Sequence, residues 1–132
     1  MALAWGFVQL GRQHAEFGDP RAAMDSVGRA IPICEALIAS DPGNLRKIVI
    51  LADCYIAAGL AHERIAKKAP HGSDAAAFEW RQARESYVRA RDVFNDLERQ
   101  GKLTPQIRES LDEVDGNLKR ARAALDRKGA PG

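Results

Sequence analysis

Apolar positions recur along this chain at spacings of three and four, and nowhere do they alternate with polar residues as a half-buried strand requires. The pattern is cleanest near the C-terminal end. Ile107, Leu111, Val114, Leu118, Ala121 and Leu125 follow at intervals of four, three, four, three and four, with charged residues on the remaining faces. Such a helix packs on one neighbour and shows the rest of its surface to water. That is how a helix closes a stack.

The punctuation between periodic stretches predicts five helices. The first runs from about Leu3 to Phe17 and is broken by Gly18-Asp19-Pro20, where Asp19 is placed to cap the second helix and Pro20 to open it. The second reaches about Ser40, with Pro32 inside it at the loss of one backbone hydrogen bond and an expected bend. Asp41-Pro42-Gly43-Asn44 forms the next turn, and Asn44 caps a third helix that ends near Lys68. After the break from Ala69 to Asp74, Ser73 or Asp74 caps a fourth helix over about 75–100, ended by Gln100-Gly101. Thr104-Pro105 opens the fifth, which fades at Lys128-Gly129.

Compared with itself, the chain repeats. A shift of 48 residues carries Leu3, Ala4, Phe7, Gly11 and His14 onto Leu51, Ala52, Tyr55, Gly59 and His62. A shift of 60 carries Arg21, Ala23, Ser26, Arg29, Ala30 and Leu37 onto Arg81, Ala83, Ser86, Arg89, Ala90 and Leu97, with Val27 meeting Tyr87. The difference of twelve between the two shifts is the extra length from the end of the third helix through the loop around Pro70. One duplicated helical hairpin with one insertion accounts for both registers.

Leu10-Gly11 and His14 ahead of Ala23, Val27 and Ala30, and Ala58-Gly59 and His62 ahead of Ala83, Tyr87 and Ala90, resemble the signature of the tetratricopeptide repeat family. His stands for the family's aromatic in both first helices, Val27 for one in the second, and both second helices run past the usual stop. The resemblance implies an all-α fold in a single domain over 1–132: two tetratricopeptide-like antiparallel hairpins, 3–40 and 44–100, and a capping helix over 104–128, wound as a right-handed superhelix. The segments Ala39 to Asn44, Trp80 to Tyr87 and Asp96 to Thr104 are similar to the C-terminal repeat tails of bacterial signalling proteins, among them serine/threonine kinases and cyclase-like or winged-helix regulators. By that resemblance the chain is a C-terminal fragment of such a protein, in the cytoplasm. The apolar start at Met1 to Val8, without a capping residue or a basic lead, reads as a helix cut from a longer chain rather than as a signal peptide.

Composition narrows the function. In 132 residues, 45% are hydrophobic and 29% charged, and the net charge of +2 is spread over interleaved acids and bases. A nucleic-acid binder would gather its cations on one face, so no nucleic-acid partner is expected. The basic run at Lys119, Arg120, Arg122, Arg127 and Lys128 lies where cations offset the negative end of a helix dipole. No apolar run approaches the roughly 18 residues a membrane span needs. Cys34 and Cys54 lie in apolar helical surroundings and are read as buried thiols. His14 and His62 hold equivalent places and are read as polar-tipped fillers, and His71 as a loop residue, because zinc wants three or four ligands at set spacing. No nucleophile elbow, P-loop, dinucleotide fingerprint or zinc-protease motif is present, so neither catalysis, nor a cofactor, nor a metal is expected.

A binding surface is expected instead. Carried over in register, the family's groove-facing places fall on Trp5, Val8, Arg12 and Glu16 of the first hairpin and on Asp53, Ile56, Leu60, Glu63 and Arg64 of the second. A groove of this mixed character suits an extended or helical peptide of another protein. The family's carboxylate clamp for chaperone tails is missing, since Arg12 and Leu60 stand where Asn is expected. Three alternatives stay open: Trp5, Val8 and Ile56 as plain core or as a face covered by a preceding repeat, an apolar first-helix face that pairs with a second copy of the chain, or a helical bundle that holds a small ligand or metal.

Overall fold

The structure, a computed structural model, describes residues 2–129, and within that range the side chains of all but residues 2–4, 7, 15–17, 128 and 129. The described residues form five helices, α1 (Ala2–Phe17), α2 (Pro20–Ser40), α3 (Leu45–Lys68), α4 (Asp74–Arg99) and α5 (Pro105–Gly129). No strand occurs among the described residues. The fold is all-α.

Each boundary has a visible cause. The Asp19 carboxylate accepts from the backbone N–H of Arg21 at 2.9 Å, with Pro20 as the first helical residue. Asn44 accepts from Lys47 N–H at 3.2 Å, Ser73 from Ala76 N–H at 3.1 Å and Thr104 from Ile107 N–H at 3.2 Å. These caps satisfy amides that the first helical turn leaves orphaned. Ser73, rather than Asp74, caps α4. Gly101 ends it at a φ of 71°, the left-handed conformation that only glycine adopts at no cost. Pro32 lies inside α2 on its exposed side, and the helix continues past it.

Consecutive helices pack against one another, and α3 also lies against α1 and, more lightly, α5. Two clusters of buried side chains meet on α3. Val8, Val27, Ala30, Cys34, Ile50, Cys54 and Ala57 join α1, α2 and α3. Ala52, Ile56, Tyr87, Phe94, Leu97 and the α5 stripe from Ile107 to Ala121 join α3, α4 and α5. Ile50, Cys54 and Ala57 face one cluster while Ala52 and Ile56 face the other, so α3 is the shared wall. The stripe of α5 is buried to Ala121, after which Ala124 is buried and Leu125 only half-buried. A 3.5-residue spacing drifts by roughly 20° per heptad on a straight helix, enough to turn the last residue off the contact.

The two hairpins share a packing detail. A methyl group on Gly11 would stand 2.9 Å from Val27 Cγ2 and 3.3 Å from the carbonyl oxygen of Ala23. A methyl group on Gly59 would stand 2.3–2.8 Å from three atoms of the Tyr87 ring. Glycine lets each pair of helices close onto the large residue opposite, and the residues are those the repeat register equates. Ala23 and Ala30 in one hairpin, and Ala83 and Ala90 in the other, are fully buried at the same approach.

Cys34 and Cys54 are buried free thiols in the same cluster, one on α2 and one on α3. Burial pushes both thiols above the ordinary range, most strongly Cys54, so both stay protonated and unreactive.

Candidate functional site: a groove across α1, α3 and α5

α1, α3 and α5 present side chains to one common face. A groove of about 490 Å³ opens there, lined by Trp5 of α1, by Leu45, Arg46, Val49, Ile50 and Asp53 of α3, and by Ile107 of α5 with Thr104 just before it. The floor is apolar. Trp5 is 41% exposed, a large ring left in water beside the groove, and Trp is enriched among the residues that carry binding energy at interfaces.

Beside the groove, Arg12 of α1 reaches over α3 to Glu113 of α5, its guanidinium donating to the carboxylate at 2.6 Å. Asp53 stands near both. Its carboxyl is pushed up to about 6, first by burial, with the Arg12 cation pulling it down and the Glu113 anion pushing it further up. Arg12 and Glu113 together are close to neutral, which leaves the charge of Asp53 poorly compensated on a half-buried, apolar floor. Such a charge opposes folding, and groups held at that kind of cost concentrate in binding sites.

The expected groove residues divide into three groups. Trp5 and Asp53, equated by the shift of 48, both line the groove. Arg12 is tied into the bridge beside it, and Leu60 and Arg64 are half-buried elsewhere on α3. Val8, Ile56 and Glu63 are 2%, 0% and 4% exposed and do not line the groove. Val8 and Ile56, also equated by the shift of 48, have turned inward, each into its own cluster. The side chain of Glu16 lies outside the described residues.

Glu63 belongs to a different arrangement. Both its oxygens accept from Arg120 of α5, at 2.7 and 2.8 Å, and one also accepts from the Tyr87 hydroxyl of α4 at 2.8 Å. Lys67 approaches at 2.9 Å, and Arg120 donates to Asn117 at 2.9 Å as well. Burial raises the pKa of Glu63, but the hydrogen bonds from Arg120, Lys67 and Tyr87 outweigh it, and the net direction is down. The carboxylate is the charged pin that holds α3, α4 and α5 together. Tyr87 is shifted strongly upward by burial and by the neighbouring Glu63, and remains a neutral donor.

Sequence reasoning missed Leu45, Arg46, Val49, Ile50, Thr104 and Ile107 as groove residues. The repeat comparison had no purchase on the first four. In the register of 48, Leu45 and Arg46 fall before residue 1, and Val49 and Ile50 meet only Met1 and Ala2. The usable signal was the spacing of Arg46, Val49, Ile50 and Asp53, which places all four on one face of a helix.

Among the described residues, no group of three or more His, Cys, Asp or Glu side chains could hold a metal ion. His62 Nδ1 lies 2.7 Å from Glu79 across α3 and α4. Among the described residues, no helix is long and apolar enough to cross a membrane. Comparison with known proteins finds no matching family model, no matching curated protein and no matching solved structure.

Proposed function

We propose that this chain is a protein-interaction module that takes a peptide segment of another protein into the groove across α1, α3 and α5. The observation that carries the reading is the pairing of exposed Trp5 with half-buried Asp53 over the apolar floor of Val49 and Ile50. In the same proposal the two hairpins are tetratricopeptide-like units of a right-handed superhelix, closed by α5, at the C-terminal end of a bacterial signalling protein in the cytoplasm. The matched approaches of Gly11 to Val27 and of Gly59 to Tyr87 support the repeat. Catalysis has no part in this reading.

The test is a displayed library of random peptides, about 16 residues or four and a half helical turns long, selected on the chain and on its Trp5→Ser and Val49→Asp variants. Peptides that bind the chain and lose about tenfold or more on either variant support the groove. A selection that enriches nothing, or peptides indifferent to both substitutions, removes it.

A second reading has its own observation. Trp5 is 41% exposed on α1, and a second copy of the chain packed on that face would cover it. Sedimentation over a wide concentration range separates the two, because a mass that stays monomeric leaves self-association without support.

A further inference from the structure

Arg46, Val49, Ile50 and Asp53 of α3 stand at positions i, i+3, i+4 and i+7 and line one groove. On a helix rising about 1.5 Å per residue, the two charged positions lie roughly 10 Å apart, two turns along one face. The cation stands at the exposed end, in the first turn of α3, and the anion at the half-buried end beside the Arg12–Glu113 bridge. Between them lies half-buried Val49 with buried Ile50 beneath it, Trp5 on one bank and the largely buried Ile107 on the other.

The charges are not equivalent. Arg46 is solvated, whereas the carboxylate of Asp53 is held in apolar surroundings with its nearest cation, Arg12, already bridged to Glu113. A ligand cation set against Asp53 would relieve a charge that folding alone leaves poorly compensated. A ligand anion set there would meet both desolvation and repulsion. A trough flanked by two helices, with a floor patterned at three and four residues, accepts another helix side by side, because the ridges of the occupant then fall between those of α3.

Resting on the interaction-module reading, we infer that the groove's occupant is an amphipathic helical segment that sets a Lys or Arg against Asp53 and an Asp or Glu against Arg46, two turns apart, with apolar residues between. The basic residue is the specific contact and the acidic one sets the direction in which the segment lies. Like charges in those places are rejected by the same desolvated groove.

The same library decides it. On the natural chain, the enriched peptides carry a basic and an acidic residue seven apart, with aliphatic or aromatic residues three and four along. Replacing the basic residue of an enriched peptide by Glu weakens binding by about tenfold or more. Selection on Asp53→Lys with Arg46→Glu reverses the order of the charges. Asp53→Asn, which places no new charge in the groove, loses the basic preference without reversing it, and circular dichroism verifies that each variant is folded. Enriched peptides that need Trp5 and Val49 yet carry no charge preference overturn this inference and leave the interaction module standing. A preference for opposite charges about three residues apart, the spacing of an extended strand, overturns the helical occupant. No enrichment at all removes both.

Discussion

Two buried or half-buried carboxylates on α3 act in opposite senses. Asp53 has a folded-state pKa of about 6, above the ~3.9 of an unfolded chain. Its contribution to stability is therefore fully present below about pH 3.9 and is lost as pH rises through about 6. Near neutral pH its ionised form opposes folding, so Asp53→Asn is expected to stabilise the chain by about 1–2 kcal/mol there and to flatten the pH dependence between 4 and 6. Arg12 of α1, Glu113 of α5 and Arg46 of α3 are the charges that face or flank it, and Arg12 limits the gain. Urea unfolding at both ends of that pH window measures it. Glu63 has a lowered pKa, so its contribution is present above about pH 4.3 and is lost as pH falls through the folded value. Glu63→Gln is expected to destabilise by about 2 kcal/mol at neutral pH, less than a fully buried pair would lose, because the Arg120 side chain is 42% exposed. Thermal unfolding should show a lower Tm and a shallower loss of stability into acid. If the variant matched the natural chain, Glu63 would not be pinning the last three helices.

At the scale of elements, the contact between α3 and α4 depends on the absence of a side chain. Gly59→Ala would drive a methyl group into the ring of Tyr87, which is fully buried and has Glu63 fixing its hydroxyl. A loss of about 1–3 kcal/mol is expected, typical of an overpacked contact. Gly28 also lies inside a helix, but nothing stands within 4 Å of an added methyl group there. Gly28→Ala is therefore expected to gain about 0.5–1 kcal/mol from propensity alone. Opposite signs in chemical unfolding of the two variants would establish that one glycine is kept for packing and the other is not. The positions of the elements themselves were legible. Asp19-Pro20, Asn44, Ser73 and Thr104-Pro105 announce the helix starts, and the caps form there, because capping is a local exchange between a side chain and the next turn's amides.

The whole molecule is bound together across α3. Among the described residues, α1 and α5 make no close backbone approach, yet Arg12 and Glu113 join them. Both side chains are partly exposed, so the bridge is expected to contribute about 0.5–1 kcal/mol. Arg12→Glu and Glu113→Arg should each destabilise, and the double reversal should recover most of the loss. A thermodynamic cycle over the four proteins measures the coupling, and additive effects would mean that the bridge does not tie α1 to α5. The same crossing explains why the groove was only partly legible. Trp5 and Asp53 were among the places carried over by the family resemblance, but Ile107 and Thr104 lie outside the repeat. Nothing in their own sequence says which face of α3 they border.

The sequence by itself determined the five helices, their caps and ends, the stripe on α5, and the register that equates Gly11 with Gly59 and Val27 with Tyr87. All of these follow from interactions within a few residues or from a register repeated along the chain. Tertiary structure alone decided that position 8 and its counterpart 56 turn inward while 5 and 53 stay open, and that Glu63 meets Arg120, 57 residues away. A three-residue step turns a helix by about 60° from the starting face, so one family of positions straddles the border between core and groove. Which side each takes depends on where the neighbouring helices stop.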